Sequence, residues 1–286
     1  MKSNVSARRW FSERPVVIAT RHRKEVVIAP LLEKELGVRP FVMEDFDTDQ
    51  FGTFSGEVER SHDPVTTLRM KCAAALDASG SDLAVASEGS FGPHPMLWML
   101  PADEEWVMLS DRRNNLEVIV RELTTETNYG SATVSSKEQL EKFATKGMFP
   151  SHGLIIRQYS GTTARMVKGI TDHSQLIGAY SELADEEGRV KVETDMRALY
   201  NPSRMSVIKK VTEKLVGRIK TLCPGCSCPG FGITGTIPGR PCSQCKSPTS
   251  SVMAYEHSCG RCGYCQKIPA VKHLWEDPMY CDVCNP

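Results

Sequence analysis

The sequence lacks any uncharged apolar run of about 18 residues, and this absence excludes a membrane-spanning helix. It also lacks an excess of charge of either sign, because 35 Lys and Arg residues balance 35 Asp and Glu residues. A chain without net charge has no global field to recruit nucleic acid or an anionic membrane surface. Residues 1–14 contain no apolar stretch of the secretory type, so we expect a flexible tail and no export signal there.

Cysteine is scarce before residue 223, where Cys72 is the single example, whereas the other ten of the eleven cysteines lie between Cys223 and Cys284. Because no export signal is expected, we predict a cytoplasmic location. In that reducing compartment, paired cysteines indicate a metal site rather than disulfides. Cys72 falls on the apolar stripe of a predicted helix, so we expect it to pack in the core.

Four CxxC pairs predict a zinc module over residues 218–286. The first two pairs are separated by 15 residues, a spacing typical of a two-knuckle zinc site, and the last two by 18. Four thiolates around Zn²⁺ leave no open position for a substrate, so we predict two structural zinc ions that supply much of the module's folding free energy. The predicted ligands are Cys223, Cys226, Cys242, Cys245, Cys259, Cys262, Cys281 and Cys284.

Two cysteines of the module exceed the eight ligands that two sites need. Cys228 lies outside the CxxC pairs, and Cys265 competes with Cys259 as the partner of Cys262. We favour Cys259, because Gly263 suits the tight turn of a knuckle. Redox sensing by the spare thiols, substitution by His257 or His273, and the way in which the four pairs share two ions stay open.

The module has a weak electrostatic footprint. From residue 218 onward it carries seven Lys and Arg residues against four Asp and Glu residues, with no basic stripe interleaved with aromatics. Nucleic-acid binding is therefore not expected. We expect the module to support the rest of the chain or to contact a protein partner.

Residues 15–217 alternate between patterns typical of strands and of helices, which indicates an α/β domain of layered architecture with a mixed sheet. The predicted strands are 15–20, 39–44, 82–87, 106–110, 116–124 and 153–158. The predicted helices are 24–36, 64–79, 137–146, 173–182 and 203–220.

Polar residues follow the predicted strands, at the positions where open α/β sheets bind ligands. One group, at the start of the first helix, can hold phosphate through backbone N–H groups and cationic side chains, although it is also compatible with a solvated charge run. Its candidates are Thr20, His22 and Lys24. A second group, in the acidic segment after the second strand, can ligate a metal or simply form an acidic loop. Its candidates are Asp47 and Asp49.

A third group lies in the segment 88–94, predicted to be a glycine-rich loop. Glu88 directly follows an apolar strand, where a carboxylate is well placed to hold Mg²⁺ near phosphates. Ser90 and Phe91 are its candidate substrate contacts. Just before and at the start of the last long helix, Arg197, Ser203 and Arg204 suit a phosphate or base contact, or are plain surface residues.

The order of these elements resembles that of the inosine/xanthosine triphosphate pyrophosphatases, which share their fold with the septum-inhibitor Maf proteins. Residues 18–20 (IAT) with Lys24 are similar to the family's opening strand and its Thr…Lys phosphate loop. The segment AVASEGSFG at 84–92 resembles a strand that ends in an acidic residue and glycine, and Ser203-Arg204 resembles a Ser/Thr-(His)-Arg element. The chain departs from the family at His22, where Asn is usual, at Glu88, where many members have an acidic pair, and in its zinc module.

The resemblance implies a nucleotide-pyrophosphatase-like fold and a reaction, the attack of water on a purine-type nucleoside triphosphate with Mg²⁺ or Mn²⁺ as cofactor. Lys24 and Arg204 would neutralise phosphate charge. Glu88, with Asp47 or Asp49, would hold the metal or orient water. The expected ligand is thus a nucleotide or another phosphorylated small molecule.

Two other functional classes stay open from the sequence. One is a non-catalytic nucleotide-sensing or protein-interaction module, and the other is a zinc-ribbon nucleic-acid-binding protein, which the balanced charge disfavours. No membrane partner is expected, and a homodimer is compatible with the sequence.

Overall fold

The computed structural model describes residues 6–44, 46–51, 62–159 and 165–286, without the side chains of residues 49 and 50. Its helices are α1 (Arg8–Phe11), α2 (Glu25–Leu36), α3 (Pro64–Ser79), α4 (Lys137–Lys146), α5 (His173–Leu183) and α6 (Pro202–Lys220). Its strands are β1 (Pro15–Ala19), β2 (Arg39–Phe41), β3 (Leu83–Pro93), β4 (Pro101–Asp111), β5 (Leu116–Thr124), β6 (Ser131–Val134), β7 (Leu154–Gln158), β8 (Met166–Ile170), β9 (Val190–Thr194), β10 (Gly232–Pro238), β11 (Val252–Ser258) and β12 (Cys265–Pro269).

The first sheet is five-stranded, with the order β2-β1-β3-β4-β5. The strands β2, β1 and β3 are parallel, whereas β4 and β5 are added antiparallel. Successive residues of a strand face opposite sides of a sheet. Leu83 and Val85 of β3 therefore pack with α2 and α6 on one face, while Ala84 and Ala86 pack with α3 on the other. The mixed sheet between helices confirms the α/β class.

Helix α3 shows how local sequence sets these elements. Asp63 accepts hydrogen bonds from the backbone N–H groups of Val65 and Thr66, and proline occupies the first helical position. The helix ends at Gly80, whose φ of +67° is a left-handed conformation that favours glycine. Both signals were read from the sequence, and the predicted bounds of 64–79 are confirmed.

A second sheet, of four strands in the order β6-β9-β7-β8, packs against α4 and α5 with its own apolar core. Residues 15–217, predicted from the sequence as an α/β domain, contain these two sheets. The strands β6 and β8 were not predicted, because each is short and neither shows a clear alternation of apolar and polar residues.

The predicted glycine-rich loop at 88–94 is wrong for most of its length. Strand β3 continues to Pro93 and pairs with β4 along its whole length, with Gly89 opposite Glu105 and Gly92 opposite Ala102. Ladder hydrogen bonds to β4 therefore override the weak strand preference of glycine.

The tail predicted over residues 1–14 is packed where the structure describes it, since Ala7 and Phe11 are buried in the core beside α2. The C-terminal region forms a third sheet, of three antiparallel strands in the order β10-β11-β12. Among the described residues, no helix has the length and apolar character needed to cross a membrane.

Candidate functional site

Six charged side chains are buried around the carboxyl end of β1 and the adjoining middle of β3. We call them the charged cluster: Lys24, Lys71, Glu88, Asp103, Glu105 and Arg204, each at most 8 % exposed. Burying a charge is costly unless it is paired, so a group of three cations and three anions this deep is a candidate functional site. It lies at the carboxyl edge of the parallel strands, where open α/β sheets bind ligands.

Lys24 reaches the cluster from the start of α2. The turn after β1 places Arg23 in the left-handed region, at a φ of +58°, and Lys24 follows it directly. The Lys24 Nζ then donates a hydrogen bond of 3.0 Å to Ser87 Oγ on β3. Burial lowers the pKa of Lys24 to about 7, an effect that the charge of Arg204 increases and that of Glu105 opposes.

Arg204 and Glu105 form the ion pair at the centre of the cluster. The Arg204 Nε donates to Glu105 Oε1 over 2.6 Å, and another guanidinium nitrogen donates to the Met196 carbonyl. The side chains of the pair are 5 % and 0 % exposed. Strand β3 makes room for them at Gly89, where a Cβ atom would overlap with the Arg204 guanidinium and the Glu105 carboxylate.

Asp103 lies two residues before Glu105 on the same face of β4 and is 1 % exposed. Burial raises the pKa of Asp103 to about 8, and the negative charge of Glu105 adds to this effect, while Arg204 and Lys24 oppose it. Three buried oxygens have no hydrogen-bond partner among the described residues: Thr20 Oγ1, Asp103 Oδ1 and Glu105 Oε2.

Glu88 lies on the opposite face of the sheet, the one covered by α3. It accepts a hydrogen bond of 2.5 Å from Lys71 Nζ, and both side chains are less than 10 % exposed. Its charge still acts on the pKa of Lys24 and of Arg204 through the edge of the sheet. The structure therefore brings Lys24, Glu88 and Arg204 within electrostatic reach of one another.

Other predicted site residues lie further out. Asp47 is half exposed and pairs with Arg21 over 2.7 Å, while the side chain of Asp49 lies outside the described residues. Arg197 binds the buried Asp195 and stacks on the ring of Tyr200 at 4.5 Å. His22, in the turn after β1, and Ser90, on β3, are both partly buried.

Ser203 and Phe91 each have a described partner. Ser203 Oγ lies 2.9 Å from His152 Nε2, and the Ser203 backbone N–H donates to the same nitrogen, which fastens the start of α6 to the second sheet. The ring of Phe91 lies 4.9 Å from the Arg204 guanidinium and 5.9 Å from the ring of Tyr129. An aromatic surface therefore borders the charged cluster.

Sequence reasoning did not assign Ser87, Lys71, Asp103 or Glu105 to the site. One signal was present for the two carboxylates, because Asp103 and Glu105 share the period-2 face of Val107 and Leu109, which is apolar. An acidic residue on the apolar face of a strand is expected only where a partner or ligand meets it.

The eight predicted zinc ligands gather in two groups of four, and each group could hold a metal ion such as zinc. The first group is Cys223, Cys226, Cys259 and Cys262, and the second is Cys242, Cys245, Cys281 and Cys284. Within them, four Sγ···Sγ distances are 3.5–3.9 Å. Thiolates bound to one tetrahedral zinc at about 2.3 Å lie about 3.8 Å apart, so the spacing fits. It is far longer than a disulfide bond, at about 2.05 Å.

The structure shows how the four CxxC motifs, whose pairing the sequence leaves open, share the two groups: the first motif joins the third and the second joins the fourth. The chain runs from the first pair along β10 to the second, back along β11 to the third, and out again along β12 to the fourth. Antiparallel strands end at opposite ends of their sheet, so the first and third pairs meet at one end and the second and fourth at the other.

The surplus cysteines lie outside both groups. Cys228 is fully buried and packs in the main core with Phe231 and α6, while Cys265 is exposed at the start of β12. The two histidines considered as ligands are also outside the groups, and His257 lies against the ring of Phe231. Cys72 lies on the side of α3 that faces the sheet, and it is buried in the core there, as predicted.

A cleft of about 540 Å³ lies between β5, α3 and the third sheet. Its lining includes Arg69, Glu117 and Arg218, and it includes no residue of the charged cluster. Its charged groups are engaged within the protein, since Arg69 pairs with Glu117 over 3.0 Å and Arg218 donates to the Ile119 carbonyl, while the Trp106 Nε1 has no hydrogen-bond partner among the described residues. The buried charges, and not this cleft, are therefore the better candidate for chemistry.

Comparison with known proteins gives one family and no curated relative. The model of a family described as "Domain of unknown function (DUF6671)" matches residues 71–286, which is more than half of the chain. A search of curated proteins finds no match. The matched range includes both cysteine groups, Glu88, Glu105 and Arg204, whereas Thr20 and Lys24 precede it.

Proposed function

The chain belongs to the DUF6671 family of domains of unknown function, and we propose that it is a Mg²⁺- or Mn²⁺-dependent hydrolase of purine-type nucleoside triphosphates that releases pyrophosphate. Two structural zinc ions complete the protein in this proposal. The observation that carries it is Lys24, a lysine buried at the carboxyl edge of β1, hydrogen-bonded to Ser87 and close to a second buried cation, Arg204. Burial and the charge of Arg204 lower the pKa of Lys24 to about 7, and a bound polyphosphate would favour its charged form again.

The reaction has simple chemical needs that these residues can meet. A water oxygen forms a bond to the α-phosphorus while the bond to the β-phosphate oxygen breaks, and pyrophosphate leaves. Lys24 and Arg204 would stabilise the charge on the phosphates, and Glu88, whose charge acts on Lys24 around the end of β1, would accept a proton from the attacking water at that edge. The bound divalent cation would neutralise further charge on the triphosphate.

Aromatic residues beside the cluster support a base-bearing substrate. Phe91 lies near the end of β3, and its ring is next to that of Tyr129. A base stacked on an aromatic ring gains about 1–3 kcal/mol. The purine class rests on the resemblance to the inosine/xanthosine triphosphate pyrophosphatases alone.

The zinc ions are proposed as structural because each group supplies four thiolates, which leaves no open coordination position. The first group also packs directly on the main core through Cys223 and Cys259. Metal analysis of protein purified without chelator should give about two zinc ions per chain, and a value near zero would contradict this part of the proposal.

The hydrolase is tested by measuring pyrophosphate release from a panel of standard and deaminated triphosphates with Mg²⁺ or Mn²⁺. We expect turnover of at least one purine triphosphate, and a loss of about 100-fold or more in Lys24→Met. Lys34→Met is the matched control, since Lys34 lies on the same helix but is largely exposed. Absence of turnover across the panel would refute the hydrolase.

A non-catalytic module that senses a nucleotide or binds a protein is the second candidate. The loop between β3 and β4 favours it, because consecutive apolar residues there are strongly exposed, with Met96 at 84 %, Trp98 at 75 % and Met99 at 76 %. Glu88→Gln separates the two candidates. Lost turnover with retained nucleotide binding supports the hydrolase, whereas nucleotide binding by a wild-type protein without turnover supports the module.

A further inference from the structure

Asp103 and Glu105 form a pair of buried carboxylates that the described protein leaves only partly satisfied. They point to the same face of β4, and both are at most 1 % exposed. Glu105 gives one oxygen, Oε1, to Arg204, while its Oε2 and the Oδ1 of Asp103 have no hydrogen-bond partner among the described residues. Native proteins pair almost all such buried atoms, so the two free oxygens call for a ligand.

A third oxygen without a partner lies on the same face of the sheet. Thr20 follows Ala19, which is in register with Ala86, so its place in the ladder is opposite Ser87. Ser87 is two residues before Gly89, the partner of Glu105. Thr20 is 5 % exposed, and its Oγ1 has no hydrogen-bond partner in the described part of the chain. Strand β3 separates this hydroxyl from the carboxylates of β4, so it borders the charged cluster and does not share an ion with them.

The chemistry that satisfies the two carboxylate oxygens is a hard cation. Carboxylate and hydroxyl oxygens are the ligands that Mg²⁺ and Mn²⁺ prefer, and a cation placed between two carboxylates removes their mutual repulsion. Arg204 holds the other oxygen of Glu105 over 2.6 Å, which is how proteins orient a metal-binding carboxylate from outside the coordination sphere.

We propose that Asp103 and Glu105 hold a divalent cation, Mg²⁺ or Mn²⁺, on the α6 face of the sheet. The resemblance instead implied a metal at Glu88 with Asp47 or Asp49. Glu88 lies on the other face against Lys71, and Asp47 is half exposed and paired with Arg21.

The task of the cation, which is to neutralise a bound triphosphate, rests on the proposed function. The binding of the ion can be measured without any nucleotide. Titration of Mn²⁺ into the full-length zinc-loaded protein, followed by electron paramagnetic resonance, should show one site. Zinc held by thiolates gives no signal in this measurement, and Mn²⁺ competes poorly for thiolate ligands.

Asp103→Asn should weaken Mn²⁺ binding by about 10-fold or more, because it replaces a charged ligand by a neutral one. Glu104→Gln is the matched control. Glu104 is the adjacent residue on β4, faces the other side of the sheet and pairs with Arg121 over 2.5 Å, so its loss of one charge should leave Mn²⁺ binding unchanged. Glu88→Gln should also retain binding. Glu105→Gln is avoided, because it would leave Arg204 buried without its partner.

A second measurement, on the wild-type chain, does not depend on how any variant folds. Fe²⁺ bound at the site and treated with peroxide and ascorbate should cleave the backbone near residues 103–105. The proposal is overturned if Asp103→Asn binds Mn²⁺ as the wild type does, if Glu88→Gln alone loses the ion, or if cleavage occurs elsewhere. Mn²⁺ binding lost in Asp103→Asn, in a protein that never turns over a triphosphate, would refute the hydrolase and keep this site.

Discussion

Replacing Gly89 by alanine should destabilise the protein more than any chemically similar change on the same strand. The added Cβ would overlap with the Arg204 guanidinium and would lie 2.9 Å from the Glu105 Cδ. Neither side chain can retreat into solvent, because their exposed fractions are 5 % and 0 %. The methyl group must therefore push the two charges apart or displace the strand.

The magnitude follows from two opposing effects. Alanine in a strand loses less backbone entropy on folding than glycine does, which favours the variant by about 0.5–1 kcal/mol. Separating a buried ion pair costs about 3–5 kcal/mol when one charge is left without its partner. We expect a net loss of about 2–4 kcal/mol in the free energy of unfolding of Gly89→Ala.

Gly92→Ala is the control, since Gly92 lies on the same strand and a Cβ there would meet no atom within 4 Å. Equilibrium denaturation by urea, followed by circular dichroism, measures both variants. Gly92→Ala should remain within about 1 kcal/mol of the wild type. If the two variants unfold within about 0.5 kcal/mol of each other, the buried pair between Arg204 and Glu105 does not exist in solution.

Three further outcomes follow from the structure. Cys228→Ser should retain two zinc ions per chain yet lose about 1–3 kcal/mol of stability, because the Cys228 side chain is fully buried in the core. Cys265→Ser should match the wild type in zinc content and in stability, because Cys265 is exposed. A zinc content of one per chain in either variant would contradict the assignment of the eight ligands. Burial lowers the pKa of Lys24 to about 7, so below that pH the folded protein carries a charge it disfavours, and between about pH 7 and the unfolded value near 10.5 its stability rises with pH. Lys24→Met should remove this rise in urea denaturation at several pH values, and an identical pH profile would refute a buried, neutral lysine. Cys226→Ser should increase hydrogen exchange in α6 and β5, whereas Cys245→Ser should increase it only around the second cysteine group, and equal effects would show that neither group supports the core.

The sequence predicted the parts of the fold that depend on local patterns. The apolar runs of β1 and β3 and the capped start of α3 depend on residues close together in the chain, and these predictions are confirmed. The eight cysteines that now form the two groups were also chosen from spacing alone. What local patterns cannot reach is the contact between distant segments. Arg204 and Glu105 are 99 residues apart in sequence and meet only after α6 packs on the sheet.

The pairing of the CxxC motifs could not be predicted from the sequence for a related reason. Spacing reports only how far a chain can reach, and 15 residues suffice to bring neighbouring CxxC pairs together. Those residues instead include strand β10, which at about 3.3 Å per residue carries the chain roughly 20 Å away from the first pair. An isolated run of Gly, Ile and Thr gives little sign of a strand, because its edges and partner are set by β11.

Helix α6 connects the two regions that matter most for function. Arg204 lies in its first turn, and Cys223 follows three residues after its end at Lys220, so the helical residues 205–220, about 24 Å long, separate Arg204 from the first cysteine group. At that far end Arg218 donates to the carbonyl oxygens of Ile119 and Gly230, and Cys223 packs in the core beside the helix. A packed helix moves as a rigid unit, so a shift at the cysteine group would be passed to Arg204 and to its pairing with Glu105. The first metal site therefore has a role that the second does not share, since it fixes the end of the helix whose other end completes the charged cluster.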